Sequence, residues 1–222
     1  MAIKDAKNGL KNLDAESKDL IKLLIFGIKK FYKQDSESLF GHGDCPKHID
    51  ERAMVGCIYR YAWCCIKQKG LDYDIDIEYD RMYGRNEGVV KKSIDLAIKC
   101  GTDSCRHQCL LLIKNMIEKK RKRKNRLYSI RPDLIIHKRN SPEGQDNYLV
   151  VEFKKVPVDE SDDSFDRAKI RWNTCRSSLL RYKVGLIVRL GEKEAQIEQC
   201  DCQGVFSQIG FVDKVGFHAS ND

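Results

Sequence analysis

PDLII at residues 132–136 and LVVEFKK at residues 149–155 are the two stretches of sequence that decide the fold. Short apolar runs of this kind predict buried β-strands. Residues 141–147, SPEGQDN, lie between them and carry the Pro, Gly, Asp and Asn that are typical of a turn. Because two strands joined by a short polar loop tend to pair antiparallel, we predict a β-hairpin.

The second predicted strand carries charged residues at its end. Residues two apart in a strand share a face, so Glu152 and Lys154 project together while Phe153 projects to the other side. Asp133, on the neighbouring strand, is expected at a similar level. Two converging carboxylates form an oxygen site suited to Mg²⁺, and a lysine beside them can orient or deprotonate a water. The alternative is an exposed hairpin with a surface salt bridge, which contributes little.

The rest of the pattern indicates an α/β fold. We predict helices over 14–33, about 50–69, 88–100, about 104–124 and 164–181, and strands over 72–81, 184–190 and 194–199. Asp14 or Ser17 caps the first helix, and residues 35–48 form a loop. The strand at 184–190 is apolar at nearly every position and therefore central, whereas 194–199 is expected at an edge. This order predicts a mixed sheet of about four or five strands with helices packed on it.

The formal net charge of +8 is concentrated in one segment of the chain. Residues 114–126 hold eight Lys or Arg residues and one Glu. Such a run is a solvated helix end, a nuclear-localisation-like signal or a phosphate-binding arm. Because it ends five residues before Arg131, we predict that it brings nucleic-acid phosphates to the proposed site.

Hydropathy and cysteine usage indicate the compartment. No apolar run approaches the roughly 20 residues that span a bilayer, and the first residues lack the apolar stretch of a signal peptide. We therefore expect a cytoplasmic protein with no membrane partner. Cys100, Cys105 and Cys109 offer ligands for structural zinc or an iron–sulfur cluster. They lack a paired C-x2-C spacing and fit a buried helix stripe, so a metal role for them is the less favoured interpretation.

The predicted hairpin carries Pro132 and Asp133, followed on the next predicted strand by Glu152 and Lys154. These residues resemble the motif of the PD-(D/E)XK nuclease superfamily, the restriction-endonuclease-like proteins. The likeness is closer to a group of uncharacterised bacterial nuclease-like proteins, and it covers roughly residues 48–198. The segments that carry it are DER at 50–52, DIEYDR at 76–81, RPDLIIHKR at 131–139 and NYLVVEFKK at 147–155, with Asp166, Lys169, Tyr182, Gly185 and Leu186.

The resemblance implies a restriction-endonuclease-like mixed β-sheet core with the element order α-β-β-β-α-β. Asp133, Glu152 and the backbone carbonyl of Phe153 would hold Mg²⁺ or Mn²⁺. Lys154 would position the attacking water, and Glu51 would supply an additional acid. The expected activity is metal-dependent hydrolysis of nucleic-acid phosphodiester bonds, with DNA favoured over RNA and an endonuclease favoured.

Two other functions stay open. One is a catalytically silent nucleic-acid-binding or assembly protein on the same fold. The other is a defence-system effector that a partner or ligand activates. Residues 1–47 are expected to be a helical extension for homo-oligomerisation or a protein partner. Residues 48–200 are expected to be the nuclease-like domain, with a helical insertion at about 82–130, and residues 201–222 a C-terminal extension.

Nucleic-acid contacts are assigned to cationic side chains in the basic run and near the hairpin. They are Lys119, Lys120, Arg121, Lys122, Arg123, Lys124, Arg126, Arg139, Lys155 and Lys169. Asp76 and Glu78, on the acidic face of the strand at 72–81, are either solvated or in contact with the site. His137 is either a phosphate contact or a structural residue.

Overall fold

The fold is described from a computed structural model. It describes residues 10, 13–40, 50–77, 81–84, 88–91, 93–95, 127–129, 132–138, 147–158, 160–175, 180–200 and 204–220, with only the backbone described for the four segments between 81 and 129. The helices are α1 (Ala15–Gln34), α2 (Ser36–Phe40), α3 (Glu51–Gln68) and α4 (Glu160–Thr174). The strands are β1 (Asp74–Ile77), β2 (Arg81–Gly84), β3 (Gly88–Lys91), β4 (Ser93–Asp95), β5 (Leu127–Ser129), β6 (Leu134–His137), β7 (Asn147–Lys155), β8 (Val184–Leu190), β9 (Glu194–Cys200), β10 (Phe206–Asp213) and β11 (Phe217–Ala219).

Within the described residues, one mixed sheet has seven strands in the order β1-β6-β7-β8-β9-β10-β11. Its neighbouring strands are antiparallel except for β7 and β8, which run parallel. A parallel pair needs a crossover connection, and α4 supplies it. The strands β2 with β3, and β4 with β5, pair as separate antiparallel ribbons. Apart from these ribbons, the elements from α3 to β8 follow the order α-β-β-β-α-β.

Both faces of the central strands are buried. Helices α1 and α3 pack together and cover one face, on which Val151 and Phe153 of β7 lie. Helix α4 covers the other face, where Val150 and Ile187 contact Ile170 of that helix. A strand with helices on both sides must be apolar at nearly every position, which explains the continuous apolar runs in β7 and β8. Glu152 is the exception in β7, because it is a charged side chain that is fully buried.

Two glycines permit close packing of the helices. A Cβ atom at Gly27 of α1 would lie 2.8 Å from the carbonyl oxygen of Ile58 in α3. A Cβ atom at Gly185 of β8 would lie 2.5 Å from Cγ2 of Ile170 and 2.8 Å from Cγ2 of Thr174, both in α4. Helix α4 therefore rests directly on the backbone of β8, and this contact fixes the height of the helix above the sheet.

The main elements predicted from sequence are confirmed. Asp14 caps α1, since its carboxylate accepts a hydrogen bond of 2.7 Å from the backbone N–H of Ser17. The helix predicted at about 50–69 is α3, and the predicted hairpin is β6 with β7. The helix predicted at 164–181 is α4, which begins and ends earlier, at Glu160 and Thr174.

Several expectations were wrong. Residues 88–100 were expected to be helical, but Gly88–Lys91 and Ser93–Asp95 are strands, because each pairs with another short strand. The expected loop at 35–48 begins with the short helix α2. The strand at 194–199 is not an edge, since β10 pairs with its outer side, and the described sheet exceeds four or five strands. The helix predicted at 104–124 lies outside the described residues.

None of the described helices combines the length and the apolar character needed to cross a membrane. Helix α1, expected in an N-terminal extension, has ten buried residues and contributes to the same core as α3. Strands β10 and β11, from the expected C-terminal extension, continue the sheet.

Candidate active site

The hairpin brings Asp133 to Glu152. Leu134 pairs with Val151, so Asp133, one residue earlier, lies at the level of Glu152 on the neighbouring strand. The position is fixed by a hydrogen bond, in which the backbone N–H of Phe153 donates to Oδ2 of Asp133 at 2.7 Å. The structure thus places Asp133, directly before β6, beside Glu152 of β7, with its carboxylate bonded to the Phe153 backbone.

Glu152 lies beneath α4, and only one of its two carboxylate oxygens accepts a hydrogen bond from a described residue. The ammonium of Lys169 donates to its Oε2 at 2.7 Å. Its Oε1 is fully buried and has no hydrogen-bond partner among the described residues. A buried carboxylate oxygen without a donor is costly, so this atom marks a position where a cation or donor would be favourable.

Asp166 connects the two lysines of the site. Its Oδ1 lies 2.7 Å from Nζ of Lys169, which is one turn further along α4. Its Oδ2 lies 2.9 Å from Nζ of Lys154. Because Asp166 is itself almost fully buried, it holds both ammonium groups from the helix side of the site.

Glu51 reaches the same cluster from the start of α3. Its Oε2 accepts a hydrogen bond of 2.9 Å from the backbone N–H of Lys155, and its Oε1 lies 3.9 Å from Nζ of Lys154. Glu51 therefore joins the first turn of α3 to the end of β7, beyond any interaction with the dipole of its own helix.

The same surroundings shift the pKa values of the carboxylates and of the two lysine ammonium groups. Burial raises the pKa of Glu152 well above its ordinary value, and the charges of Asp133 and Asp166 add to the shift, against the opposing effect of Lys169. Burial also raises the pKa values of Asp133 and Glu51. For these three carboxylates burial therefore favours the protonated form, and a nearby cation opposes that shift.

For the two lysines, nearby charges affect the pKa more than burial does. Burial lowers the pKa of Lys154 and of Lys169, but nearby carboxylates outweigh burial and raise both above the ordinary lysine value. The largest single effect that opposes burial comes from the charge of Asp166 at Lys154 and from the charge of Glu152 at Lys169. Both side chains are therefore ammonium ions at neutral pH.

The residues present fit a divalent cation in charge and in donor type. Among the described residues, Glu51, Glu152 and Asp166 pair with Lys154 and Lys169, and Asp133 lies beside both lysines, so four carboxylates face two ammonium groups. Carboxylate and carbonyl oxygens are the ligands that Mg²⁺ prefers, together with water and substrate phosphate. Within the described part of the chain, no group of three or more His, Cys, Asp or Glu side chains is arranged to hold a metal by itself.

Other residues singled out from the sequence lie elsewhere. Asp76 contacts His137 at 2.8 Å, a pairing that links β1 to β6. The Lys155 ammonium lies over the ring of Phe40. Lys169, assigned to nucleic acid, is only 11% exposed and bonds Glu152 and Asp166. Outside the described residues are Glu78, Arg139, Cys100, Cys105, Cys109, and the basic residues Lys119, Lys120, Arg121, Lys122, Arg123, Lys124 and Arg126.

Sequence reasoning missed a second ionic group beside the site. Arg167 contacts Asp163 at 2.7 Å and Glu198 at 2.6 Å, and Arg189 contacts the same two carboxylates. This group ties the first turns of α4 to β8 and β9. An arginine in the otherwise apolar strand β8 was the available signal, but its partners depend on the strand order.

The comparisons with known proteins give no relative. No protein-family model matches the chain, and neither a curated protein nor a solved structure matches it. A functional conclusion therefore depends on the chain's own residues and on their geometry.

Proposed function

We propose that the chain is a divalent-metal-dependent nuclease of the PD-(D/E)XK type that hydrolyses nucleic-acid phosphodiester bonds, with DNA as the favoured substrate and endonucleolytic cleavage. One observation carries the proposal. Asp133, directly before β6, accepts a hydrogen bond from the Phe153 backbone beside Glu152 of β7, and Lys154 follows on the Glu152 side of that strand. The element order α-β-β-β-α-β, in which α3 and α4 deliver Glu51 and Asp166, supports it.

Asp133, Glu152 and the Phe153 carbonyl are the groups that would hold Mg²⁺ or Mn²⁺. Such an ion, when bound, polarises a phosphoryl oxygen and lowers the pKa of a coordinated water. Lys154 remains charged beside Asp166, so it donates hydrogen bonds to a water or phosphate oxygen and does not take up a proton. With 22% of its side chain exposed against 11% for Lys169, Lys154 is the lysine better placed to contact substrate.

The test is cleavage by the full chain of plasmid DNA, linear DNA and RNA in Mg²⁺ or Mn²⁺. We expect cleavage of DNA that EDTA stops. Glu152→Gln should reduce the rate by at least about 100-fold, because removal of a single well-placed charge-stabilising group commonly costs that much. Glu192→Gln, the same chemical change in the exposed turn after β8, is the matched control and should leave the rate unchanged. Equal rates for the wild-type protein and Glu152→Gln would contradict the assignment.

A second candidate is a nucleic-acid-binding protein on the same fold that does not cleave. The observation in its favour is that Lys169 and Lys154 already balance Glu152 and Asp166 without any metal. Fluorescence anisotropy with labelled DNA in EDTA separates the two. Tight metal-independent binding, together with no cleavage of any substrate, would favour this function over a nuclease. Activation by a partner or ligand, an oligomer formed through residues 1–47 and a cytoplasmic location stay predictions.

A further inference from the structure

Lys169 occupies the position of a cation within the carboxylate cluster. Its Nζ lies 2.7 Å from Oε2 of Glu152 and 2.7 Å from Oδ1 of Asp166. The side chain rises from α4, and only 11% of it is exposed. An ammonium at these distances makes charge-assisted hydrogen bonds to both carboxylates. In the absence of metal it therefore compensates the most deeply buried acid of the site.

A divalent ion at Glu152 would meet this ammonium at close range. Oε1 and Oε2 belong to one carboxylate, so an ion on Oε1 and an ammonium on Oε2 are two cations only a few ångströms apart. Charges so close in a partly desolvated site repel strongly. The Lys169 ammonium therefore opposes metal binding at Glu152, and binding is favoured when this contact weakens.

Asp166 makes such a movement feasible. Lys169 already donates to Asp166 as well as to Glu152, so leaving Glu152 costs one of two charged hydrogen bonds. The second bond keeps the ammonium buried against an anion, which avoids the large cost of an unpaired buried charge. The two bonds of Lys169 therefore have different roles, one that metal displaces and one that retains the side chain.

We propose that Lys169 is an internal counter-cation that competes with the divalent ion for Glu152 and so sets the metal affinity of the site. Asp166 retains the ammonium when metal binds. This inference rests on the proposed metal site at Asp133 and Glu152, and it assigns to Lys169 a role in metal affinity in place of phosphate contact.

Lys154 provides a matched control within the same cluster. It carries the same charge and also forms an ion pair with Asp166, at 2.9 Å, but its other carboxylate neighbours are Glu51, at 3.9 Å, and Asp133, whereas Oε2 of Glu152 is bonded by Lys169. Removing either lysine raises the negative charge of the cluster by one unit. Only the removal of Lys169 also frees Oε2 of Glu152. A larger effect at Lys169 than at Lys154 therefore distinguishes competition at Glu152 from a general change in charge.

The experiment measures Mn²⁺ binding to the full chain by isothermal titration calorimetry, with thermal unfolding in EDTA as a second readout. We expect Lys169→Gln to bind Mn²⁺ at least tenfold more tightly than the wild-type protein, and at least threefold more tightly than Lys154→Gln. In EDTA, Lys169→Gln should unfold at a lower temperature, and Mn²⁺ should raise that temperature more than it does for the wild-type protein. Lys169→Met preserves the length of the apolar stem and replaces Lys169→Gln if that variant does not fold.

Unchanged or weaker Mn²⁺ binding by the Lys169 variants would overturn the inference. The proposed metal site is tested separately by Glu152→Gln in the same titration. If the wild-type protein binds Mn²⁺ and Glu152→Gln does not, the metal site stands, and the Lys169 result alone decides the inference. If no variant and no wild-type protein binds Mn²⁺, both the metal site and the inference are wrong.

Discussion

Replacing Gly185 with alanine tests whether the contact of α4 with β8 positions the candidate site. The added Cβ would lie 2.5 Å from Cγ2 of Ile170. Since carbon atoms in contact prefer about 3.5–4.0 Å, the helix and the strand must separate locally by roughly 1 Å. Overpacking of this kind typically costs about 1–3 kcal/mol in the free energy of unfolding.

The same displacement should affect the site more than the fold. Asp166 and Lys169 are carried by α4, whereas Glu152 and Lys154 are carried by β7. A shift of the helix therefore lengthens the 2.7 Å contact of Lys169 with Glu152 and the 2.9 Å contact of Asp166 with Lys154. A misplacement of about 1 Å in a catalytic arrangement can reduce the rate by roughly 100-fold. We therefore expect Gly185→Ala to lower the proposed nuclease activity far more than its loss of stability would explain at a temperature where it is folded.

Urea unfolding followed by circular dichroism, without metal, measures the stability change. The control is Gly56→Ala in the middle of α3, where a Cβ would meet no atom within 4 Å. Alanine there should increase the free energy of unfolding by about 0.5–1 kcal/mol through its better helix propensity. If Gly185→Ala is as stable as the wild-type protein while Gly56→Ala behaves as expected, the close packing of α4 on β8 is refuted.

Three further predictions follow from the same geometry. Burial raises the pKa of Asp163, but its two arginine partners outweigh burial and hold that pKa below the ordinary value. The ionised carboxylate therefore stabilises the fold above about pH 4, and this stabilisation is lost as the pH falls through the folded-state pKa. Asp163→Asn should therefore cost about 1.5–3 kcal/mol at pH 7 and progressively less below pH 4, in urea unfolding at several pH values; a constant cost would contradict this. Gly27→Ala should destabilise by about 1–3 kcal/mol, because its Cβ would lie 2.8 Å from a backbone carbonyl of α3; a calorimetric melting temperature equal to that of the wild-type protein would count against the packing. Neutralising the basic residues at 119–124 should weaken DNA binding. The slope of log affinity against log salt concentration should become shallower by about 0.9 for each phosphate that the protein no longer neutralises. An unchanged slope would show that these residues are a solvated segment without phosphate contacts.

The hairpin and its polar residues could be predicted from the sequence because the relevant information is local. Strand periodicity alone places Glu152 and Lys154 on one side of β7, and the short polar loop brings Asp133 to a neighbouring strand. The burial of Glu152 also follows from local sequence, since apolar residues flank it on both sides.

The partners of these residues could not be predicted in the same way. A helical pattern places Asp166 and Lys169 near one another, but it does not say which strand lies beneath them. That depends on the parallel pairing of β7 with β8 and on the absence of a side chain at Gly185. Lys169 was expected to contact phosphate because it is positively charged. In the structure it lies inside the interface between the sheet and α4.

The errors in secondary structure have a related cause. The short strand β3 is stable only with β2 as a partner, and neither has a pattern long enough to indicate a strand by itself. Similarly, β9 was expected at an edge, and no strand was predicted after it, whereas β10 pairs with its outer side. Pairing between strands is decided by the whole sheet, so such segments are poorly determined by their own residues.

The most direct test of the proposed site is a crystal structure of the full chain soaked with Mn²⁺, with the ion located by its anomalous scattering. We expect one Mn²⁺ between the carboxylates of Asp133 and Glu152. The Lys169 ammonium should then lie on Asp166 and no longer within hydrogen-bond distance of Glu152. If saturating Mn²⁺ leaves no anomalous peak there and Lys169 remains bonded to Glu152, the cluster is a closed set of ion pairs and not a metal site.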